Sequence, residues 1–307
     1  MKKNPKSGLK TTKTTKKSLT PNNWEFTQLA PNVHRLRFTG LKAGDERSIL
    51  LGSDDHWDST DCNRQVLREH LSEAQARNAP IFRFGDLFDC MGGKWDKRGV
   101  KDKVRPELQV HDYLSKLPRI AADWYAEFPN LALITPGNHE TAITKKHEVD
   151  LMQLMQDRLH SKGLKTMIGG YWGFVQIQFQ KSNSTQILQK TLYYHHGYGG
   201  GGAVTAGMID NSRTRDDYIA DIYYSGHIHR RNLDDRVVTR LSKHGNIERS
   251  QQLFLRGSAY KCEHKPYGFH VENGRAARPL GGWWLNFGVS FKEQSIMQVK
   301  MSPEMAL

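Results

Sequence analysis

The chain is poor in cysteine, in long apolar runs and, near its start, in acid. Only three cysteines, Cys62, Cys90 and Cys262, occur in 307 residues. Their number is odd and their spacing matches no zinc pattern, which argues against a disulfide scaffold and a cysteine-based metal module. A reducing, cytoplasmic compartment is the expectation. Uninterrupted apolar runs span only a few residues, far short of the ~20 that a membrane-crossing helix needs, so no membrane partner is expected. Lys2 and Lys3 are followed by no apolar segment, so the start does not read as a signal peptide.

Acid is scarce in a patterned way. The net charge is +13, and residues 1–20 contribute seven lysines and no carboxylate, leaving +6 for the rest. That Lys/Thr/Ser-rich opening has too few apolar residues to order itself, so 1–22 reads as a basic, disordered tail. It is either a solubility tail or a tether for nucleic-acid phosphates. The whole sequence is 37% apolar and 10% aromatic, and what remains, 23–307, reads as a soluble globular domain.

From Trp24 onward, strands alternate with helices. The pattern predicts a strand near 47–53, a helix near 62–77, and a strand in "PIFRFGD". A long amphipathic helix carrying Val110, Leu117, Ala121 and Phe128 follows, which Pro118 should kink or split. A strand at 131–135 precedes a third helix over about 144–162, closed by Gly163. Strands are then expected at 171–180, 190–196, 221–225, 236–241 and 252–256, with a hairpin turn at 243–246. The part from 232 to 307 reads as strand-rich. An α/β layered domain fits best.

Polar clusters recur wherever a strand ends. "SDDH" sets Asp54 and His56 two apart, so both side chains leave a strand on one side, with Asp55 facing away. "GDLFD" supplies Asp86 and Asp89, "GNHE" Asn138, His139 and Glu140, "YYHHG" His195 and His196, and "SGHIH" His227 and His229. Each is ordinary alone. Together they gather carboxylates, imidazoles and an amide at one rim of a sheet, where open α/β folds place their ligands. Packing Asp54 against Asp86 without a cation would be costly, so a divalent-metal site is expected. Mixed nitrogen and oxygen donors suit Mn²⁺ first, with Fe, Zn²⁺ or Ni²⁺ as alternatives, rather than the all-oxygen sites of Ca²⁺.

These five ordered motifs, spanning roughly residues 48–230, resemble those of the calcineurin-like metallophosphoesterase superfamily. The resemblance implies a four-layered αββα sandwich with a dinuclear metal site at one sheet edge. It implies that Asp54, His56, Asp86 and His229 hold one metal, and that Asp86, Asn138, His195 or His196, and His227 hold the other. The fourth motif leaves the choice of histidine open; Gly197 following directly favours His196. His139 would stand beside the metals as general acid. A carboxylate such as Asp86 can bridge two cations ~3.5–4 Å apart, and Asp89 or Glu140 could orient nearby imidazoles.

Phosphate-ester hydrolysis is the implied activity. Nucleic-acid or nucleotide phosphodiesters lead, phosphomonoesters or phosphoproteins are the alternative, and a noncatalytic scaffold of the same fold comes last because every expected ligand is present. "HHGYGGGGAVTAG" lacks the Gly-Lys-Ser/Thr ending of a P-loop and reads as a loop beside the metals. That stretch and "KPYGF…RPLGGWWL" are also similar to phage- and prophage-encoded members. Arg213, Arg215, Arg230 and Arg231 could grip phosphates. Trp283 and Trp284 belong to the core or a cap, or stack a base.

Overall fold

A computed structural model describes residues 23–90, 101–199, 208–266, 269–272, 274–293 and 296–307. The basic tail at 1–22 and residues 200–207 of the glycine-rich stretch lie outside the described residues. In chain order the elements begin with β1 (Trp24–Ala30), β2 (Val33–Leu41), β3 (Glu46–Gly52), α1 (Arg64–Ala76), β4 (Ile81–Phe84), α2 (Tyr113–Tyr125) and β5 (Leu131–Thr135). They continue with α3 (Asn138–His147), α4 (Leu151–Ser161), β6 (Met167–Ile168), β7 (Trp172–Lys181), β8 (Ile187–His195), α5 (Met208–Asp217) and β9 (Ile222–Ser225). The chain closes with β10 (Asn232–Leu241), β11 (Ile247–Arg256), the short α6 (Phe269–Glu272), β12 (Trp283–Lys292) and β13 (Ile296–Met305).

The strands form two sheets, ordered β1-β2-β7-β8-β9-β11-β10 and β13-β12-β3-β4-β5-β6. Side-chain alternation along each strand builds the layers. In β3, Ile49 and Leu51 face the other sheet while Leu50 faces the helices; in β8, Leu192 and Tyr194 face inward while Tyr193 faces out. The inner core joins Leu36, Phe38, Phe82, Phe84, Val175 and Ile177 from both sheets. Helices α1, α2 and α4 cover the six-stranded sheet through Leu67, Leu71, Leu117, Ala121, Met155 and Leu159. Beside α5, Tyr218 packs on Tyr193, Tyr223 and Phe254 of the other sheet's outer face. The expected αββα order is therefore observed.

Several elements differ from expectation. The helix placed at 144–162 is two helices. The first starts at Asn138, inside the "GNHE" motif, and ends at Glu148 in the left-handed region (φ 54°). The second is capped by Asp150, whose side chain accepts from the Met152 and Gln153 amides. Helix α2 runs unbroken through Pro118, because the proline forfeits one bond, to the Leu114 carbonyl, while buried Leu117, Ala121 and Tyr125 hold the helix on the sheet. Five strands were not foreseen, β1, β2, β6, β12 and β13. Of these β12 inserts between β3 and β13 and carries the paired tryptophans. Trp283 lies in the inter-sheet core and Trp284 in the helix-side core, so neither is free to stack a base. Among the described residues, no helix is long and apolar enough to cross a membrane.

Candidate metal centre

The C-terminal ends of β3, β4 and β5 in one sheet, and of β8 and β9 in the other, meet at one rim. Each runs directly into one of the five motifs. Parity explains part of the placement. Strand β8 ends at His195, so His196 turns inward and is fully buried. Glycines clear the space: a Cβ on Gly137 would overlap Asp86, one on Gly85 would overlap the His196 ring, and one on Gly226 would lie 2.5 Å from Asp54 Oδ2. Backbone conformation is unusual as well. Asp54, His56, Asp86, His227 and His229 all have positive φ, between 45° and 71°, although none is glycine. Left-handed backbone in non-glycine residues costs energy and clusters at functional sites.

Two sets of donors result at the rim, and His56 also groups with Asp89 and His139. Asp54, His56 and His229 each bring one ligand atom within 4.8 Å of the others, as do Asp86, His196 and His227. Asn138 joins the second set, its Oδ1 lying 3.1 Å from His196 Nε2 and 2.8 Å from His227 Nδ1. Asp86 stands between the sets: its Oδ2 is 3.2 Å from His196 Nε2, and its charge is also felt by Asp54 and His56. His195 joins neither set; its Nδ1 accepts from the Gly197 amide at 2.8 Å. Of the pair left open by the fourth motif, His196 is the one brought to the rim.

Electrostatics couple the buried carboxylates to the imidazoles beside them. Burial pushes the Asp54 and Asp86 carboxyls up, but neighbouring imidazoles more than offset it, leaving Asp54 below and Asp86 well below the usual range. Burial likewise opposes charge on His196 and His229, yet the carboxylates beside them raise these to about 10 and about 9. Burial lowers His56 and His227, and with the charge of His196 it takes His195 down to about 4.

Divalent cations fit this donor set. Behind the first set, His56 Nδ1 meets Asp89 Oδ1 at 3.0 Å and His229 Nδ1 meets Glu263 Oε2 at 3.1 Å. Those carboxylates fix both Nδ1 atoms as donors, so in the neutral rings the two Nε2 lone pairs face each other across 3.1 Å. Only a proton or a cation between them relieves that opposition. The donors are nitrogen and oxygen with no sulfur, a set that divalent cations take.

Other polar residues have structural work. Asp55 does face away from the donors, accepting from Arg83 Nε at 3.0 Å and Tyr125 Oη at 2.6 Å in a fully buried network. Asp58 caps the loop after β4, accepting from the Asp89 amide at 2.5 Å and the Cys90 amide at 3.0 Å. Glu140 orients no imidazole: it accepts from the amides of Gly137 and Phe88 at 2.8 Å and of Asp86 at 3.2 Å. Burial and the Asp86 charge raise it to about 7. His139 lies beside the donors, with Nδ1 donating to the Asp89 carbonyl at 2.6 Å and Nε2 3.8 Å from Asp86 Oδ2. Arg231 does not face the rim; it donates to the carbonyls of Leu280 and Ala306. Two residues carried no sequence signal, Glu263 behind His229 and Lys261, whose Nζ reaches both oxygens of Asp89 at 2.9 and 3.1 Å.

No protein-family model and no curated protein sequence matches the chain. Among solved structures it is similar to a conserved Streptococcus pneumoniae protein described as a predicted phosphoesterase, at 10% identity and TM-score 0.29, covering 85% of this chain and all of that one. A metallophosphoesterase from Sphaerobacter thermophilus matches at 14% identity and TM-score 0.34, covering 84% of this chain and 87% of that one. Vps29 of Chaetomium thermophilum matches at 9% identity and TM-score 0.33, covering 86% of this chain and 96% of that one. At such identities none of them carries a residue role over to this chain.

Proposed function

We propose that the protein is a metal-dependent phosphoesterase of the calcineurin-like kind, acting on nucleotide or nucleic-acid phosphodiesters. The observation that carries this reading is the pair of donor sets, Asp54/His56/His229 and Asp86/His196/His227, each with its carboxylate and one imidazole buried, held at one rim with Asp86 between them. In this reading Asp54, His56, His229 and Asp86 hold one cation, and Asp86, Asn138, His196 and His227 the other, with Mn²⁺ the preferred metal. Two such cations would neutralise charge on the phosphoryl oxygens and lower the pKa of an attacking water.

The chain's own residues do the rest. Asp89 and Glu263 hold His56 and His229 with their Nε2 atoms inward. Glu140 gathers three amides and so fixes the loops that present Asp86 and Asn138. The Asp89 carbonyl keeps the Nδ1 of His139 as donor, so a second proton would sit on Nε2, the nitrogen facing Asp86, and could pass to the departing oxygen. The net charge of +13 supports a polyanionic substrate, as do Arg230 and Arg278, which stand near enough to interact electrostatically beside Glu263.

The test is a substrate panel on Mn²⁺-loaded protein, comprising single- and double-stranded oligonucleotides, cyclic nucleotides, and bis- and mono-p-nitrophenyl phosphate, with Asp86→Asn alongside. Diester turnover with about two metals per chain, both lost in Asp86→Asn, is expected. Monoester turnover without diester turnover would replace the substrate class, and full activity in metal-free protein would overturn the reading.

A further inference from the structure

His195, the histidine that does not reach the rim, opens instead on a cavity of about 160 Å³ on the outer face of the seven-stranded sheet. Alternation puts Tyr193 of β8, Tyr223 of β9 and Phe254 of β11 on that face, and α5 covers them. The walls are flat. Tyr193 stacks on Tyr218 with ring centroids 4.2 Å apart, and Tyr223 on Phe254 at 4.3 Å and 6°. The edges are polar, because Asn211 and Arg256, both buried, and Ser225 also line the space. Since His195 Nδ1 accepts from the Gly197 amide, the neutral ring carries its proton on Nε2 and adds a donor.

The cavity and the metal centre share a backbone partition. Gly197 lines the cavity, and a Cβ built on it would lie 2.8 Å from the Cβ of His227. Ser225 lines it too, two residues before His227. The volume is below the ~300–1,000 Å³ of pockets for drug-sized ligands, so it suits one ring system and not a peptide segment. A nucleobase combines a π-face for the aromatic walls with donors and acceptors for the polar edge. We infer that this cavity receives the base of a nucleotide ester whose phosphate lies at the donor rim. The inference rests on the phosphoesterase reading above and adds to it a base subsite on the sheet's outer face, behind the fourth and fifth motifs.

Two measurements separate the inference from the reading beneath it. Binding of adenosine, guanosine, cytidine and thymidine to metal-free protein is followed by saturation-transfer NMR, for the native chain and for Thr214→Trp, which fills the cavity from α5. At least one nucleoside should bind with contacts to tyrosine ring protons, and Thr214→Trp should weaken it about tenfold or more, the scale of one base stacked on aromatic rings. On Mn²⁺-loaded protein, the preference for thymidine p-nitrophenyl phosphate over methyl p-nitrophenyl phosphate should fall by a similar factor. Should Thr214→Trp not fold, Tyr218→Ala, which removes one wall, takes its place in both assays. Absence of nucleoside binding, or an unchanged preference, overturns the base subsite while leaving the phosphoesterase reading intact. Nucleoside binding that the variant abolishes, with neither ester hydrolysed, supports the cavity and defeats that reading instead.

Discussion

Glu263 offers the sharpest test of the metal centre, because its effect should fall on one donor set alone. Its Oε2 lies 3.1 Å from His229 Nδ1, and the carboxylate side chain is 17% exposed, so the contact is largely shielded from water. Behind the other set the corresponding partner is neutral: His196 Nδ1 donates to the Phe84 carbonyl at 2.9 Å. A carboxylate behind an imidazole makes it a more basic ligand, and removing such a partner costs about 10–100-fold in metal affinity. Glu263→Gln keeps an oxygen acceptor and loses the charge, so it belongs at the ~10-fold end; Glu263→Ala loses both and belongs at the ~100-fold end. The assay is Mn²⁺ titration followed by electron paramagnetic resonance and calorimetry, resolving two sites per chain. One site should weaken in the Glu263 variants and the other in Asn138→Ala. Equal weakening of both sites in Glu263→Ala, or none, would refute the reasoning.

Three further outcomes are expected. His139→Ala should keep its metals and lose about 10²–10⁴-fold in rate on alkyl esters, and less on p-nitrophenyl esters, whose leaving group needs no proton; equal losses would remove His139 as the acid. Gly137→Ala has an allowed φ of −106°, but its methyl would overlap both the carboxylate and the backbone nitrogen of Asp86, so it should displace Asp86 and lose metal uptake; metal analysis reads the loss, with circular dichroism to follow the fold. Buried His34, stacked on Phe26 at 5.4 Å, has its pKa lowered by burial, so the unfolded chain takes a proton first as pH falls. Its contribution to stability should therefore hold above pH ~6.5 and be lost below it, by at most about 1.4 kcal/mol per pH unit, down to the folded-state pKa. His34→Phe should flatten that decline in urea titrations at pH 7.5 and 5.

The strand-end motifs were legible because strand periodicity and chemistry coincide there: an apolar run ends and polar donors follow at once. The same periodicity explains the paired histidines, since a strand that ends at His195 sends His196 to the opposite side. Asp58 was less legible. It shares the first motif's acidity, and only its loop contacts distinguish a cap for the Asp89 and Cys90 amides from a ligand. Glu263 and Lys261 were invisible, because they reach the rim from irregular chain after β11, more than thirty residues past the last motif and with no period to place them. The break between α3 and α4 did have a signal, Asp150 before an apolar run, but continuous amphipathicity on either side masked it.

The left-handed backbone at Asp54, His56, Asp86, His227 and His229 has a consequence for how such a chain can drift over generations. Each of these positions would be more comfortable as glycine, by on the order of 1 kcal/mol. Selection for stability alone would thus erode all five side chains in the same direction. A lineage released from its chemistry should show glycine at these places before its cores change at all. The five side chains stand where glycine would relax the backbone, so what they do at the rim has to offset that cost.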